Sequence, residues 1–310
     1  MIKRHYSSAV LLGLLTIVSF CACKDSGHAK KVKLRAAAEP VVAETAAGAY
    51  EKPPLRISIA AMLSPKSSLV TYGELAQYLG KRLNSPVKIA FTKKYAETND
   101  SLRNSGSDIA FVCTGAYLAA IETFPLDIIA VPVVNGETVY NSVIVTGKSS
   151  AARSLVDLKG KTFAFTDEFS LTGHLYVQAR LAELKQTSSF FSGTVYTGSH
   201  DKSVKAVAEG FADAASVDNL VFQALLRQGD FYAKQLKIIE KSPPFGIPPV
   251  VARHALPAEV KDRARAILLA MHKDADGARI LKAISIERFA APEPGLYSYA
   301  EQVYKGLNKK

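Results

Sequence analysis

The sequence predicts an α/β fold in which two doubly wound lobes are joined by a two-strand hinge. Short apolar runs of strand character alternate with helical patterns between residues 55 and 284, and this alternation is typical of parallel, doubly wound sheets. A body of about 250 residues is large for one such sheet, which favours two lobes. Two extended segments, Tyr140–Thr146 and Pro248–Arg253, are interpreted as the crossings between them.

Nine apolar runs are interpreted as strands because each is short and bounded by turn residues or a helical pattern. In chain order they are Arg56–Met62, Val87–Phe91, Asp108–Val112, Asp127–Val133, Ser142–Thr146, Thr162–Thr166, Thr194–Tyr196, Phe211–Val217 and Leu236–Glu240. The helical patterns are Tyr72–Leu83, a stripe through Val177, Leu181 and Leu184, Val204–Glu209 closed by Gly210, and Pro257–Ile284 broken at Asp274–Gly277. Ligands of open α/β sheets bind beyond the carboxyl ends of the strands, so the loops there are expected to form the site.

The first 23 residues have the pattern of a bacterial signal peptide. A basic start at residues 3–5 precedes an apolar stretch at residues 9–20, which is too short for a membrane span. Ala22 directly before Cys23 resembles the lipobox of bacterial lipoproteins, in which the cysteine is lipidated and becomes the mature N-terminus. Ordinary secretion with cleavage at another position is the alternative.

These features divide the chain into four parts. Residues 1–23 are the predicted lipoprotein signal peptide, and residues 24–54, rich in Lys, Ala, Glu and Pro, are a predicted flexible tether. The first lobe is expected to contain residues 55–141 and 249–310. The second lobe is expected to contain residues 142–248.

The formal net charge of +11 does not indicate a nucleic-acid partner. Two of these charges lie in the signal peptide and a net two in the tether, which leaves about +7 on the body. The body has no basic run, the chain has no Trp, and aromatic residues do not alternate with basic ones. A mild positive field would instead help to attract a small anion.

The run FAFTDEFSLTGHLY, from Phe163 to Tyr176, predicts a binding site for an oxyanion, which we call the anion seat. A short apolar strand is followed by an acidic turn and then by Ser170, Thr172 and Gly173 at the start of an amphipathic helix. The first turn of a helix has N–H groups without intrahelical partners, and these groups together with the helix dipole favour a bound anion. The alternative is that Ser170 or Thr172 only caps the helix.

The sequence gives little support to an enzyme. The body contains one cysteine, Cys113, to which no role is assigned, and it lacks the HExxH, G-x-S-x-G, P-loop and CxxC patterns. Ser170 with His200 as nucleophile and base is the remaining enzymatic alternative, but an anion seat explains both residues more simply. We therefore expect no catalytic residues, no metal and no cofactor.

Six runs together resemble the phosphate/phosphite/phosphonate-binding proteins of ABC importers. They are MLSPK (62–66), KKYAE (93–97), DIAFVCTGAY (108–117), FAFTDEFSLTGHLY (163–176), GSHDKSVKAVAEG (198–210) and KSPPFGIPP (241–249). The resemblance implies a type II periplasmic-binding-protein fold that captures a phosphorus oxyanion by closing its lobes. It also implies a periplasmic, monomeric protein that delivers the anion to permease and ATPase subunits, while the lipobox pattern at Cys23 predicts a lipid anchor.

The resemblance and the predicted loops together indicate seven ligand-binding residues. Ser170 and Thr172 occupy the family's hydroxyl-rich turn, where Leu171 replaces a third hydroxyl or amide of many members. The others are Ser64 in the first βα loop, Tyr95 and His200 at positions of a family tyrosine and histidine, Thr114 beside Cys113, and Asp218 at a strand end. A simple capping role stays open for Ser64, His200 and Asp218, and a half-buried aromatic role for Tyr95.

The expected ligand is phosphate, phosphite or a small phosphonate such as methylphosphonate, and the sequence does not rank them. Relatives that recognise aminoethylphosphonate offer carboxylates to its ammonium group, whereas Leu220 and Pro248 stand at those positions here. Asp218 is expected to select a protonated oxyanion. The alternative function is a sensory subunit that presents the same anion to a membrane receptor kinase.

Overall fold

The structure is a computed structural model that describes residues 42–44, 54–63 and 65–308. The predicted signal peptide with Cys23, most of the predicted tether and Ser64 lie outside these residues. The described strands are β1 (Val42–Glu44), β2 (Leu55–Ile59), β3 (Val87–Phe91), β4 (Ile109–Phe111), β5 (Leu126–Val133), β6 (Val139–Tyr140), β7 (Ser142–Gly147), β8 (Thr162–Phe165), β9 (Gly193–Tyr196), β10 (Ala214–Asp218), β11 (Leu236–Lys241), β12 (Phe245–Gly246), β13 (Val250–Arg253) and β14 (Arg288–Ala290).

The helices of the described ranges are α1 (Pro65–Leu83), α2 (Tyr95–Arg103), α3 (Thr114–Ile121), α4 (Tyr176–Glu183), α5 (His200–Ala208), α6 (Asn219–Arg227), α7 (Ala258–Ala270), α8 (Ala275–Ala283) and α9 (Ser298–Asn308). A π-helical turn over Leu171–Leu175 leads into α4. Helix α1 begins earlier than the predicted Tyr72, at Pro65, whose fixed φ suits a first helical position. Among the described residues, no helix has the length and apolar character that a membrane crossing requires.

The first sheet has seven strands in the order β1-β3-β2-β4-β13-β5-β14. Strands β3, β2 and β4 are parallel, with Ile57 opposite both Ile89 and Ile109. Strand β13 runs antiparallel to β4 and β5, and β14 antiparallel to β5. Strand β1 lies within the predicted tether but pairs antiparallel with β3, so the structure differs from the prediction at these three residues.

The second sheet has five strands in the order β11-β7-β10-β8-β9. Strands β9, β8 and β10 are parallel, whereas β7 pairs antiparallel with β10 and β11. The sheets are therefore mixed, although the alternation of strands and helices predicts parallel ones. Strand β7 directly follows β6, and strand β13 directly follows β12, at the two crossings between the sheets. Each of these strands enters its sheet in the direction opposite to that of its neighbours.

The two sheets are linked by the short antiparallel pair β6 and β12, in which Tyr140 lies opposite Phe245. The Phe245 ring stacks on Tyr299 of α9, and α9 contacts both α3 and α4. One apolar cluster, which includes Val131, Phe163 and Phe245, joins residues of both sheets at this point. Packing across the crossings thus holds the loops of one sheet against those of the other.

Candidate functional site

The loops that follow β8, β9 and β10 lie at one edge of the second sheet. Parallel strands place their carboxyl ends together, which brings residues 166–175, residues 197–200 and Asp218 to that edge. The loops also bond to each other, because the backbone N–H of Gly198 donates to the Thr166 carbonyl at 2.8 Å. The motif that predicts an anion seat is therefore part of a larger polar edge.

Ser170 forms the N-cap of the π-helical turn. Its Oγ accepts a hydrogen bond from the backbone N–H of Gly173 at 3.0 Å, and its side chain is fully buried. Gly173 is required here because a Cβ would overlap the Thr166 side chain and lie 2.8 Å from Ser170 Oγ. Capping uses a lone pair of the hydroxyl and leaves its hydrogen free, so Ser170 can cap the turn and also donate to an anion.

Thr172, two residues further on, has a fully buried side chain whose Oγ1 has no hydrogen-bond partner in the described chain. Its backbone carbonyl accepts from Ser142 Oγ at 2.7 Å and from Ser216 Oγ at 2.6 Å. These two hydroxyls fix the backbone of the turn against β7 and β10. Leu171, where the family often has a third polar group, is buried in the apolar core.

The loops after β2, β3 and β4 of the first sheet face this edge. The backbone N–H of Tyr95, first residue of α2, donates to Asp167 Oδ2 at 3.1 Å. The backbone N–H of His200 donates to the Met62 carbonyl at 3.2 Å. Because each bond joins a loop of one sheet to a loop of the other, the structure has the closed arrangement in which both sheets contribute to one site.

His200 is a neutral, buried group held by two neighbours. Its Nδ1 accepts from the backbone N–H of Asp218 at 3.1 Å and lies 3.1 Å from Thr166 Oγ1. Burial lowers the pKa of His200 to about 4, although nearby Asp201 raises it slightly. Because Nδ1 accepts a backbone hydrogen bond, the ring proton of the neutral imidazole is on Nε2.

Asp218 is a second buried carboxylate of the site, in addition to Asp167. Its Oδ1 caps α6 by accepting from the backbone N–H groups of Leu220 at 2.7 Å and Val221 at 3.3 Å. Burial raises the pKa of Asp218 to about 7, and these two hydrogen bonds oppose that rise. The carboxyl group can therefore either donate or accept a proton near neutral pH.

Buried hydroxyls without partners give the strongest sign of a ligand. Five buried polar side-chain atoms of the described residues make no hydrogen bond, and four of them are the hydroxyls of Tyr95, Tyr140, Thr172 and Ser199. Leaving a buried polar group unpaired costs about 1–3 kcal/mol. Four such donors, contributed by the loops of both sheets and by β6, can donate to one acceptor, and an oxyanion is such an acceptor.

The phenol of Tyr95 influences that of Tyr140, and both phenols respond to the same carboxylate. Burial raises the pKa of Tyr95 well above its ordinary value, with smaller contributions from the charges of Cys113, Asp167 and Asp218, while nearby Ser170 opposes the rise. Burial likewise raises the pKa of Tyr140, with further increases from Cys113, Asp218 and Tyr95 and an opposing effect of the Thr114 side chain. These effects indicate that both phenols share one buried region with Asp218, and that Tyr95 also shares it with Ser170.

The electrostatics of the site rest on neutral donors and helix ends. Neither Asp218 nor His200 has its pKa moved by a lysine or arginine of the described chain. Helices α2, α3, α5 and α6 and the π-helical turn all begin at these loops. Their first N–H groups and dipoles favour an anion there.

The structure brings together five of the seven residues that the sequence indicates: Tyr95, Ser170, Thr172, His200 and Asp218. Thr114 differs from the expectation for its side chain, because Oγ1 donates its hydrogen to the Gly246 carbonyl at 2.8 Å. Only the backbone N–H of Thr114 remains as a donor. Ser64 lies outside the described residues.

Sequence reasoning missed Tyr140 and Ser199. Tyr140 stands in a segment that we interpret only as a crossing, and Ser199 lies directly before the predicted His200. Ser199 is the N-cap of α5, but its Oγ makes no capping bond. The position of Ser199 at a helix start could have identified it as a candidate ligand contact. The sequence around Tyr140 does not distinguish it from an aromatic residue of the core.

Tyr140→Phe is expected to lower the affinity for the ligand about tenfold or more without destabilising the unliganded protein. The change removes a buried hydroxyl that lacks a partner, and a hydrogen bond to a charged ligand contributes about 1.5–3 kcal/mol. Calorimetric titration and urea unfolding measure the two effects. Tyr297→Phe is the matched control, because its hydroxyl donates to the Ile247 carbonyl at 2.9 Å, so stability should fall instead.

Comparison with known proteins identifies the family. The model of the phosphonate ABC transporter periplasmic substrate-binding proteins matches residues 57–297. The phosphate-import protein PhnD of Mycolicibacterium smegmatis is 29% identical over 227 residues, which cover 68% of this chain and 70% of that protein. The family match contains every strand of both sheets except β1 and the first two residues of β2, and it contains the described loops of the site.

Two solved structures share the fold. A binding protein component of an ABC phosphonate transporter from Pseudomonas aeruginosa superposes with a TM-score of 0.77 at 24% identity, over 83% of this chain and 87% of that one. PhnD1 of Prochlorococcus marinus, in complex with methylphosphonate, gives a TM-score of 0.76 at 20% identity, over 83% and 98%. These similarities confirm the predicted type II fold with two sheet-containing lobes.

The matched proteins are periplasmic binding components of ABC importers and not enzymes, which confirms the resemblance and the expectation of a non-enzyme. Such a component binds a small ligand and works with permease and ATPase subunits. The chain therefore belongs to the family of periplasmic substrate-binding proteins of phosphonate ABC transporters.

Proposed function

We propose that the protein captures a small phosphorus oxyanion, namely phosphate, phosphite or a small phosphonate, between its two sheets and delivers it to an ABC importer. Four buried hydroxyls without partners, which belong to the loops of both sheets and to β6, carry this proposal; we refer to them as the hydroxyl cluster. The proposed ligand contacts are Tyr95, Tyr140, Thr172 and Ser199 together with Ser170, His200 Nε2 and Asp218. The name of the mycobacterial relative and the methylphosphonate in the cyanobacterial one support this ligand class.

Asp218 would discriminate between oxyanions according to whether they carry a proton. Above pH 7 its carboxyl group is mostly ionised and accepts a hydrogen bond only from a ligand that carries a proton. Phosphate and phosphonates retain such a proton in part, whereas sulfate has none. The comparisons give no support to the sensory alternative, so import is the function proposed.

The proposal divides the body into lobes of residues 55–141 plus 249–310 and residues 142–248. Strands β2–β5, β13 and β14 of the first sheet fall in the first set, and β7–β11 of the second sheet fall in the second set. We also propose a monomer that is held in the envelope by a lipid on Cys23, which becomes the first residue after cleavage between Ala22 and Cys23. Mass spectrometry of the mature N-terminus tests this anchor, and a Cys23→Ser variant should lose it.

A thermal-shift panel at pH 8 tests the function. The protein, freed of bound phosphate by partial unfolding and dialysis, is mixed with phosphate, phosphite, methylphosphonate or sulfate. A ligand bound only by the folded state stabilises it by about 4 kcal/mol at a thousandfold excess over Kd. We expect this shift with at least one phosphorus oxyanion and little with sulfate. No shift with any phosphorus oxyanion would contradict the proposal.

Thr172→Val tests the location of the site in the same panel. Valine has nearly the same shape, and the hydroxyl it replaces is buried without a partner. The unliganded protein should therefore unfold at the same or a higher temperature, while the ligand-induced shift should become smaller. Equal ligand shifts in wild type and variant would place the ligand elsewhere.

A further inference from the structure

A cavity of about 220 Å³ extends from Asp218 along one face of α6. Leu220, Val221 and Leu225 form its wall on the helix. The opposite wall comes from the first sheet and the helix ends around it, with Tyr72, Phe111 and Ile284. Like the hydroxyl cluster, the cavity lies between residues of the two sheets.

The cavity meets the anion site at Asp218. Asp218 lines it, and the backbone N–H of Asp218 donates to His200 Nδ1 of the anion site at 3.1 Å. Met62 lines it as well, and its carbonyl accepts the hydrogen bond from the backbone N–H of His200. A substituent on an oxyanion held by the hydroxyls therefore has an adjacent space to enter.

The walls of the cavity are mostly apolar. Its lining includes two charged side chains, Asp218 at the inner end and Arg227, an exposed residue, at the outer end. Between them the lining is largely aliphatic or aromatic, and it includes Leu220 and Pro248. An ammonium group in the middle of the cavity would lose its water without meeting a carboxylate, which is costly.

The size of the cavity exceeds the needs of a methyl group. A water molecule occupies about 30 Å³ of liquid, and an apolar cavity of about 150 Å³ can hold a benzene molecule. Methylphosphonate or phosphate would therefore leave most of the space to water. A chain or ring of about three to six carbon atoms would fill it.

We propose that this cavity is a subsite for the apolar substituent of an organophosphonate with about three to six carbon atoms. The inference rests on the proposed function, because the phosphonate group must be held by the hydroxyl cluster. It names the substrate class as alkyl or aryl phosphonates in preference to aminoalkyl ones.

Calorimetric titrations with methyl-, propyl-, phenyl- and 2-aminoethylphosphonate test the inference. Each buried methylene should raise the affinity about threefold to fourfold, so propylphosphonate should bind about tenfold more tightly than methylphosphonate. Propyl- and 2-aminoethylphosphonate have the same length and differ in the terminal group. The propyl compound should bind at least tenfold more tightly than the amino compound.

Leu220→Glu provides a variant that should reverse this order. Leu220 is the second residue of α6, where a glutamate favours the helix. The variant should weaken propylphosphonate about tenfold and bind 2-aminoethylphosphonate more tightly than propylphosphonate. Leu226→Glu, on the same helix but outside the cavity lining and 39% exposed, is the control and should leave both affinities unchanged.

The outcomes separate the two proposals. If none of the phosphonates binds, the proposed function itself fails. If methylphosphonate binds but propylphosphonate binds equally or more weakly, the subsite is wrong and the proposed function stands. An affinity for 2-aminoethylphosphonate that equals or exceeds that for propylphosphonate would also overturn the subsite.

Discussion

Asp218→Asn is expected to stabilise the unliganded protein by about 4 kcal/mol at pH 8 and by little at pH 4. Burial raises the pKa of Asp218 to about 7 in the folded state, whereas an unfolded aspartate titrates near pH 3.9. Between these values the folded protein holds a proton that the unfolded chain has released. This contribution therefore favours folding at low pH and is lost as the pH rises through about 7.

Asparagine isolates this effect because it keeps the cap of α6. Asn and Asp are equally good N-cap residues, so the hydrogen bonds to Leu220 and Val221 should remain.

His200 also makes the free energy of unfolding depend on pH, in an overlapping pH range and with the opposite sign. Burial lowers its pKa to about 4, so stability rises as the pH increases from about 4 to 6.5. That contribution is present in wild type and variant and cancels in their difference.

Urea unfolding of both proteins from pH 4 to pH 8.5 measures the difference in unfolding free energy. The difference should grow with pH and level off above about 7.5. Asp262→Asn, at a surface aspartate with 67% side-chain exposure, is the control and should reproduce the wild-type profile. An Asp218→Asn difference that is the same at every pH would contradict a buried carboxyl group in the site.

Gly115→Ala is expected to weaken phosphate or methylphosphonate binding about 100-fold. Gly115 lies in α3, which follows β4 of the first sheet, and it packs against the turn after β8 of the second sheet. An added Cβ would overlap the Phe169 carbonyl oxygen and lie 2.9 Å from the backbone N of Leu171. Because these are backbone atoms, the helix and the turn would have to separate by about 1 Å.

This separation would move Thr172 away from the hydroxyls on the first-sheet side. Hydrogen bonds weaken steeply beyond about 3.5 Å, and the loss of one or two bonds to a charged ligand costs about 3 kcal/mol, or about 100-fold. Calorimetry measures the affinity, and circular dichroism checks the fold. Gly73→Ala, in α1 with no atom within 4 Å of the new Cβ, is the control. Equal affinities in all three proteins would refute the closed contact.

Much of the fold follows from local patterns. The order of strands and helices and the break before α8 agree with the sequence, and Asp274 caps α8 through the backbone N–H of Gly277 at 2.9 Å. Local patterns do not predict the direction of each strand. Strands β7 and β13 are antiparallel to their neighbours because the chain enters each of them from a crossing between the sheets. Strands of two or three residues such as β6, β12 and β14 are too short to show a period.

The site was predictable where its chemistry is local. Ser170 and Thr172 stand out because hydroxyls at a helix start suit an anion, whereas Tyr140 becomes a candidate only when its buried hydroxyl is found without a partner. The hydroxyl of Thr114 was misjudged because its acceptor, the Gly246 carbonyl, is 132 residues away in the sequence. Long-range partners of this kind decide which hydroxyls are free for a ligand.

A crystal structure of the protein with methylphosphonate tests the central claim most directly. The account predicts the phosphonate oxygens at about 2.5–2.8 Å from Thr172 Oγ1 and from the hydroxyls of Tyr95 and Tyr140, with Asp218 beside the same oxygens and the methyl group directed toward Leu220. A ligand bound outside this hydroxyl cluster, or a structure in which these hydroxyls bond to one another and not to the ligand, would contradict it.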